Sequence, residues 1–268
     1  MSEVSVYLAD LELQGVLMFS TEQKPSLAKE GGALITPGHF IHNYPLIYGF
    51  AQRNVESYAV IPSLHYLSYE ELKKSRFTPE SAQKSLHYGF IEEQIRNFLD
   101  GGGGIYIFPA FPLRVFVKKF FMAAKGTSYA EFRGALKTVF PRIVHYIAVV
   151  PPSLFRTIVL ARNIYPPESM YIRIGMKRMS VMKVRLRRAD IVGKENAATW
   201  SSIPVNLHDV ETYFKYMVED FLRVLETRSK PPGKPKVSLI GYVKARNLFR
   251  ITCGSIEYKL PLPLKLFR

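Results

Sequence analysis

The segment "YIRIGMKRMSVMKVRLRRADIV" (171–192) combines apolar residues with seven cations and a single acid, Asp190. In its second half the two kinds of residue alternate, and successive side chains of a strand point to opposite faces. One face would carry Lys183, Arg185 and Arg187, while the other would carry only apolar side chains. The segment therefore predicts a strand with one face in the core and one basic face.

Three cations on one strand face, spaced about 7 Å apart, repel one another unless an anion or an acidic side chain lies over them. A phosphate backbone fits this spacing, because arginine binds phosphate through two parallel hydrogen bonds. The alternative is that the basic face meets solvent or a neighbouring acidic strand. The sequence leaves both interpretations open.

The composition indicates a folded globular protein. Of 268 residues, 47% are hydrophobic and 22% are charged, as in ordinary folded domains. The single cysteine, Cys253, excludes an intramolecular disulfide framework. The first residues lack the apolar region of a secretory signal, and no apolar run is long enough to cross a membrane. We therefore expect a cytoplasmic protein without a membrane partner.

The net charge of +15 is distributed unevenly. Residues 1–100 hold 8 basic and 12 acidic residues, a net charge of −4, whereas residues 101–268 hold 29 basic and 10 acidic residues, a net charge of +19. Such an excess attracts polyanions and accelerates their binding. A nucleic acid or another phosphate-rich partner is therefore favoured over a merely basic surface.

Hydrophobic periodicity predicts both strands and helices. Strands are predicted at 4–15, 56–67, 104–117 and 156–167, helices at 40–52, 79–104 and 206–226, and a long loop at 20–38. The helix at 40–52 would begin with Asn43 as its N-cap. The helix at 206–226 is the clearest, because its apolar residues recur three and four positions apart. Three short C-terminal segments, at 237–243, 248–253 and 256–260, predict a β-meander.

These elements indicate an α+β fold of ferredoxin-like (RRM-like) type with insertions. We place one domain at 1–227, with inserted segments at about 68–100 and 115–145. Residues 228–268 would form a basic, proline-rich linker and the terminal β-meander, which packs on the same domain.

Two short motifs resemble signatures of one protein family. "HNYPLIYGF" (42–50) and "YIRIGMKRMS" (171–180) are similar to segments of the CRISPR-associated RAMP-superfamily subunit of type I-D Cascade, which caps the 5′ handle of the crRNA. The matching residues are His42, Asn43, Tyr44, Leu46 and Tyr48 in the first motif, and Tyr171, Ile172, Arg173 and Gly175 in the second.

The resemblance implies a RAMP fold and a non-catalytic, crRNA-binding subunit without metal or cofactor. It also implies contacts with the backbone subunit and the large subunit of Cascade, and with target DNA near the PAM. Such a subunit needs cations for phosphates and rings that stack on splayed bases. The residues expected to bind RNA are His42, Asn43, Tyr44, Tyr48, Arg114, Lys118, Arg173, Lys177, Arg178, Lys183, Arg185 and Arg187.

Several of these residues have structural alternatives. His42 and Tyr44 could instead pack inside a loop–helix corner, with Asn43 as a cap. Arg114 and Lys118 could lie on an insertion. The glycines at 101–104 are more typical of a helix end than of a loop that cradles RNA.

Two other functional classes compete with this one. Related RAMP proteins include metal-independent endoribonucleases, which use histidine or tyrosine as acid and base; the candidates here are His42, His65, His87, His145 and Tyr146. No metal-ligand spacing, P-loop or dinucleotide fingerprint occurs. A peripheral membrane protein would need a basic amphipathic helix, but the predicted helix at 206–226 carries five acids.

Overall fold

The computed structural model describes residues 4–17, 34–35, 40–51, 89–124, 142–175, 180–226 and 239–267. Strands dominate this part of the chain. The strands are β1 (Val4–Leu13), β2 (Leu34–Ile35), β3 (Gly104–Ile107), β4 (Phe111–Ala124), β5 (Arg142–Arg162), β6 (Ser169–Ile174), β7 (Ser180–Glu195), β8 (Thr199–Trp200), β9 (Val205–Asn206), β10 (Val218–Glu226), β11 (Leu239–Ala245), β12 (Leu248–Cys253) and β13 (Ile256–Leu260). The helices are α1 (Asn43–Phe50), α2 (Gly89–Asp100) and α3 (Leu207–Thr212).

The larger of two sheets is built around β1. This strand pairs antiparallel with β5 on one side and with β7 on the other. Its residues are largely buried over most of its length, as expected of a central strand that is covered on both faces. The opening strand predicted at 4–15 is confirmed, and β7 confirms the strand predicted within the basic segment.

Two different strands share the far edge of β7. Strand β6 pairs with its first part, from Ser180 to Arg185, and β12 pairs with its last part, from Asp190 to Glu195. Strand β13 extends the sheet by a hairpin with β12. Between the two paired stretches, the N–H of Leu186 donates to the carbonyl of Glu168 at 2.8 Å.

Strand β5 is the longest element and extends well beyond β1. Its second half pairs with β1, and its whole length pairs with β3 and β4 on the other side. Strand β2 adds a short parallel pairing near His145. The loop predicted at 20–38 is therefore wrong at Leu34–Ile35, because a two-residue strand carries too little periodicity to be read from sequence.

The second sheet has the strand order β10-β11-β8, and β9 also pairs with β11. Strand β11 therefore pairs with β10 and not with the next strand in sequence, β12. The predicted C-terminal β-meander is wrong in this respect. Only β12 and β13 form a hairpin, while the turn after β11 passes the chain from one sheet to the other.

The helix predicted at 206–226 is wrong over most of its length. Helix α3 ends at Thr212, Lys215 adopts a left-handed backbone (φ 64°), and the chain then forms strand β10. Met217, one of the apolar residues that would form the buried stripe of such a helix, is 87% exposed. Pairing of β10 with β11 satisfies the backbone and overrides the local helical pattern.

Helices α1 and α2 lie against β3, and α1 also contacts β6. Helix α2 ends at Asp100, and the following glycines adopt positive φ at 101, 103 and 104. The guanidinium of Arg162 donates from Nη1 to the carbonyls of Phe98 and Leu99, both at 2.7 Å. The glycine run is therefore the predicted helix end, and Arg162 satisfies the last carbonyls of the helix.

One hydrophobic cluster joins the two sheets. It includes Leu11 and Val184 from the first sheet, Val205 and Val243 from the second, and Ile95 from α2. A mostly antiparallel sheet with few helices in its described part is compatible with the predicted α+β, RAMP-like fold. The predicted strand at 56–67, the start of the helix at 79–104, the inserted residues 125–141 and the basic linker lie outside the described residues.

Candidate nucleic-acid interface

A basic and aromatic face covers three neighbouring strands of the large sheet. On β7, the side chains of Met182, Val184 and Leu186 are buried, whereas Arg185 and Arg187 are exposed. The predicted separation of an apolar and a basic face is therefore present. Because cross-strand partners lie on the same face, the register adds residues of β1 and β6 to it.

Strand β6 contributes a tyrosine and an arginine to this face. Tyr171 lies opposite Lys183, and Arg173 lies opposite Val181. Tyr171 is 59% exposed, and Arg173 is also exposed. We call the set Tyr171, Arg173, Lys183, Arg185 and Arg187 the basic face. An exposed ring among cations is the combination that binds single-stranded nucleic acid, through base stacking and phosphate contacts.

Tyr171 was not among the residues expected to bind RNA. The signal was present in the sequence, because Tyr171 and Arg173 are two residues apart in a strand-like segment and therefore share a face. The pairing of β6 with β7, which only the structure supplies, brings this ring beside the cations of the basic segment.

Two acids of β1 partly neutralise the basic face. Glu12 Oε2 lies 3.2 Å from Arg185 Nη2, and Asp10 Oδ2 lies 2.9 Å from Arg187 Nη2. One alternative drawn from the sequence was that the basic face meets a neighbouring acidic strand, and for these two arginines it is correct. Both arginine side chains remain about half exposed, at 58% and 49%, and each guanidinium has more donors than one carboxylate oxygen can accept.

Asp10 also anchors a second arginine. Arg156 of β5 donates from Nε to Oδ1 at 2.6 Å and from Nη2 to Oδ2 at 3.2 Å. Hydrogen bonding to Asp10 raises the pKa of Arg156 above its ordinary value. The hydroxyl of Tyr258 accepts a further bond at 3.3 Å. Asp10 thus bridges Arg156 and Arg187, and fixes one border of the basic face.

The first motif forms a buried corner. His42 is the N-cap of α1, where its Nδ1 accepts a hydrogen bond from the Tyr44 N–H at 3.1 Å. The predicted cap, Asn43, is instead the first residue of the helix and is completely buried. His42 and Tyr48 are 6% and 5% exposed. His42 and Asn43 therefore pack in the corner, as in the structural alternative for this motif, and Tyr48 is buried as well.

A carboxylate of α3 joins this corner. Asp209 is fully buried and accepts hydrogen bonds from Asn43 Nδ2 at 2.7 Å, the Tyr106 hydroxyl at 2.8 Å and the Tyr44 hydroxyl at 3.1 Å. Asn206 donates to Asn43 Oδ1 at 3.2 Å. The network therefore ties α1 to β3 and to α3.

Burial dominates the electrostatics of the corner. Desolvation lowers the pKa of His42 from 6.5 to about 4, so the imidazole is neutral and can accept the bond from Tyr44. Desolvation raises the pKa of Asp209 from 3.8 to about 6, although its three donors oppose the shift. Burial and the nearby Asp209 also raise the pKa of Tyr106 well above its ordinary value. These values favour a structural network over a phosphate-binding site.

The remaining predicted RNA-binding residues are Arg114 and Lys118, which lie on another strand, and Lys177 and Arg178. Arg114 and Lys118 lie exposed on β4, where Arg114 donates to the Pro152 carbonyl at 3.3 Å and stacks on the Phe116 ring at 5.7 Å. Lys177 and Arg178 lie outside the described residues. They connect β6 to β7, and therefore flank the basic face in sequence.

Of the alternative nuclease residues, those in the described part of the chain belong to separate elements. His42 is buried in the corner, while His145 and Tyr146 belong to β5, where their backbones pair with β2 and β4. His65 and His87 lie outside the described residues. In the described ranges, no group of three or more histidine, cysteine, aspartate or glutamate side chains could hold a metal ion. Among the described helices, none is long and apolar enough to cross a membrane.

Comparison with known proteins gives one family. No curated protein matches the chain. The family model described as type I-D CRISPR-associated protein Cas5/Csc1 matches residues 4–228, which is most of the sequence. The match spans both motifs, the buried corner and the basic face, and it confirms the resemblance drawn from the sequence. The chain therefore belongs to the type I-D Cas5/Csc1 family of CRISPR-associated proteins.

Proposed function

We propose that this chain is a non-catalytic subunit of type I-D Cascade that binds the 5′ handle of the crRNA. It would bridge the backbone and large subunits of the complex, close to the entry of target DNA. The observation that carries the proposal is the basic face, in which four cations and an exposed tyrosine share one solvent-facing side of β6 and β7. Family membership supplies the CRISPR context.

The ion pairs with β1 suit reversible binding of a polyanion. Glu12 and Asp10 pair with Arg185 and Arg187, while about half of each arginine side chain is exposed to solvent. Exposed ion pairs of this kind contribute at most about 1 kcal/mol, so phosphate can compete with the carboxylates. Arg173 has no ion-pair partner among the described residues and is available for a phosphate.

The test measures RNA affinity and its salt dependence for the full chain. The probe is a fluorescent RNA that carries the 5′ repeat-derived segment of the host's crRNA. We expect the double variant Arg173→Gln and Lys183→Gln to bind more weakly than the native protein. The slope of log K against log salt should fall by about 0.7 for each phosphate group that the variant no longer binds. Glutamine avoids the new ion pairs that a charge-reversed, acidic side chain would form with Arg185 or Arg187.

Two further variants sharpen the result. Arg246→Gln is the matched control, because Arg246 is an exposed arginine in an ion pair with Glu219 on the other sheet. We expect its affinity and salt slope to remain native. Glu12→Gln removes the partner of Arg185 and should increase affinity. An unchanged slope in the double variant, or an equal decrease in the control, would exclude the basic face from RNA binding.

A further inference from the structure

The side of the second sheet that faces away from the core carries two aromatic residues and a leucine. Lys244 of β11 lies between Trp200 of β8 and Asp220 of β10. Tyr242, two residues before Lys244, lies opposite Leu222 of β10. Cross-strand partners, and residues two apart in one strand, share a face of the sheet. We call the set Trp200, Asp220, Leu222, Tyr242 and Lys244 the outer face.

The two sides of this sheet differ sharply in burial. Val243 and Ala245, which alternate with the outer-face residues of β11, are completely buried, and Phe221 packs against the shared hydrophobic cluster. On the outer face, Leu222 is 60% exposed and Trp200 is 40% exposed. Within the described residues, the outer face is therefore an uncovered apolar surface, and such surfaces mark sites of interaction.

The charge of the outer face excludes a polyanion as its ligand. The cation of the set, Lys244, lies directly opposite its acid, Asp220, and the nearby Arg246 pairs with Glu219 at 3.1 Å. These charges cancel, whereas binding of a phosphate backbone depends on an excess of cations. Tryptophan and tyrosine with few charges among them are instead typical of the central part of protein–protein interfaces.

Strand β10 also favours a polypeptide as the ligand. Among the described strands it pairs with β11 alone, and it stands at the end of the strand order of its sheet. An edge strand can pair with another extended polypeptide, and a nucleic acid cannot continue a β ladder. The N–H of Phe221 is held by Asp220 Oδ1 at 2.8 Å, so the apolar side chains, more than this backbone, would supply the contact.

We infer that the outer face is a docking surface for another protein subunit of the same complex, which covers it with an uncharged, apolar surface. This inference rests on the proposed function, because that function supplies the protein neighbours. The outer face and the basic face belong to different sheets, so the protein and the RNA do not compete for the same residues.

The experiment uses the single tryptophan of the chain, which lies in the outer face. Fluorinated tryptophan incorporated into the full chain gives one fluorine NMR signal, and the tryptophans of an unlabelled partner remain silent. A dissolved gadolinium chelate broadens this signal while Trp200 is exposed. We expect the purified backbone subunit or the purified large subunit of type I-D Cascade to shift the signal and reduce the broadening, whereas crRNA alone changes neither.

A variant of the outer face tests whether this protection reflects apolar contact. Leu222→Gln keeps the net charge and should weaken binding of the protecting subunit roughly tenfold, as expected for an apolar residue within an interface. Its affinity for crRNA should remain native. The matched control is Ile164→Gln, which changes a residue that is 45% exposed in the connection between β5 and β6. The control should bind the subunit with native affinity.

Several results would overturn the docking surface. It is wrong if neither subunit protects Trp200, if crRNA alone does so, or if Leu222→Gln and Ile164→Gln weaken subunit binding equally. It is also wrong if Trp200 is shielded in the free chain, because the chain itself, or a second copy where shielding depends on concentration, would then cover the outer face. Failure to bind crRNA while a subunit still protects Trp200 would instead overturn the proposed RNA-binding function.

Discussion

His42 and Asp209 are buried at the corner where α1 meets α3, and burial shifts their pKa values in opposite directions. The pKa of His42 falls from 6.5 to about 4, so the unfolded chain binds more protons than the folded chain between these values. The contribution of His42 to the free energy of unfolding therefore rises as pH increases through this window. The pKa of Asp209 rises from 3.8 to about 6, so its contribution falls as pH increases through nearly the same window.

The two effects nearly cancel in the native protein, because each amounts to about 3 kcal/mol. In the variant Asp209→Asn only the effect of His42 remains. We therefore expect the free energy of unfolding of this variant to increase from about pH 4 to pH 6.5 relative to native protein. His42→Asn, which keeps an N-cap oxygen, should show the opposite slope, decreasing from about pH 4 to pH 6. Urea unfolding across this range measures both. Parallel pH curves for the two variants would contradict the assignment.

The same corner explains how the side chains of the first motif, residues 42–50, are held. Its histidine and asparagine were expected to bind RNA, and the sequence also allowed that they pack in a corner. The partner that holds Asn43 in the corner is Asp209, which lies 166 residues from Asn43 in the chain. No local pattern marks this pairing, since a lone aspartate in a short helix is indistinguishable from a surface acid.

At the scale of elements, β10 illustrates how tertiary pairing overrides a helical pattern. The apolar residues of 206–226 recur at helical spacing, but the chain turns at Lys215 and continues as a strand. Part of the reason lies in β11, where Gly241 allows an unusually close approach. A Cβ at Gly241 would collide with the carbonyl oxygen of Leu222 and would lie 2.7 Å from Cζ of Phe221.

Substitution of this glycine should therefore separate β10 from β11. We expect Gly241→Ala to lower the free energy of unfolding by about 3 kcal/mol or more, since the clash involves backbone as well as a ring. Gly102→Ala is the control, because a Cβ there would meet Asn97 O at 3.5 Å, an ordinary contact. Thermal or urea unfolding of both variants gives the comparison. If the two variants were equally stable, β10 and β11 would accommodate the added methyl group without loss of stability, which would contradict the prediction.

At the scale of the whole molecule, the cations and acids are distributed between different strands. The first hundred residues have a net charge of −4, and two of their acids, Asp10 and Glu12, pair with arginines of the strongly basic later part. The charge asymmetry in the sequence therefore overstates the field at the basic face. It also explains why the charges of β7 can lie close together without destabilising the sheet.

The shared hydrophobic cluster predicts that both sheets unfold together. The chain has a single tryptophan, Trp200 in β8, so its fluorescence reports the second sheet. Far-ultraviolet circular dichroism reports all strands and helices. We expect the two signals to follow one urea transition with the same midpoint. If the fluorescence transition came first, the second sheet would be a separately folding unit, and the shared hydrophobic cluster would not couple the two sheets.

The sequence by itself determined the family motifs, the opening strand, the alternation of β7 and the helix end at the glycine run. These features depend on periodicity and on local conformational preference, which act over a few residues. Only the tertiary structure decided that β1 supplies acids to the basic face, that Asp209 completes the first motif, that β10 is a strand and that Trp200, Tyr242 and Leu222 share the outer face of the second sheet. Each of these depends on which distant strands pair, and the free energy of that choice comes from burial shared over the whole core.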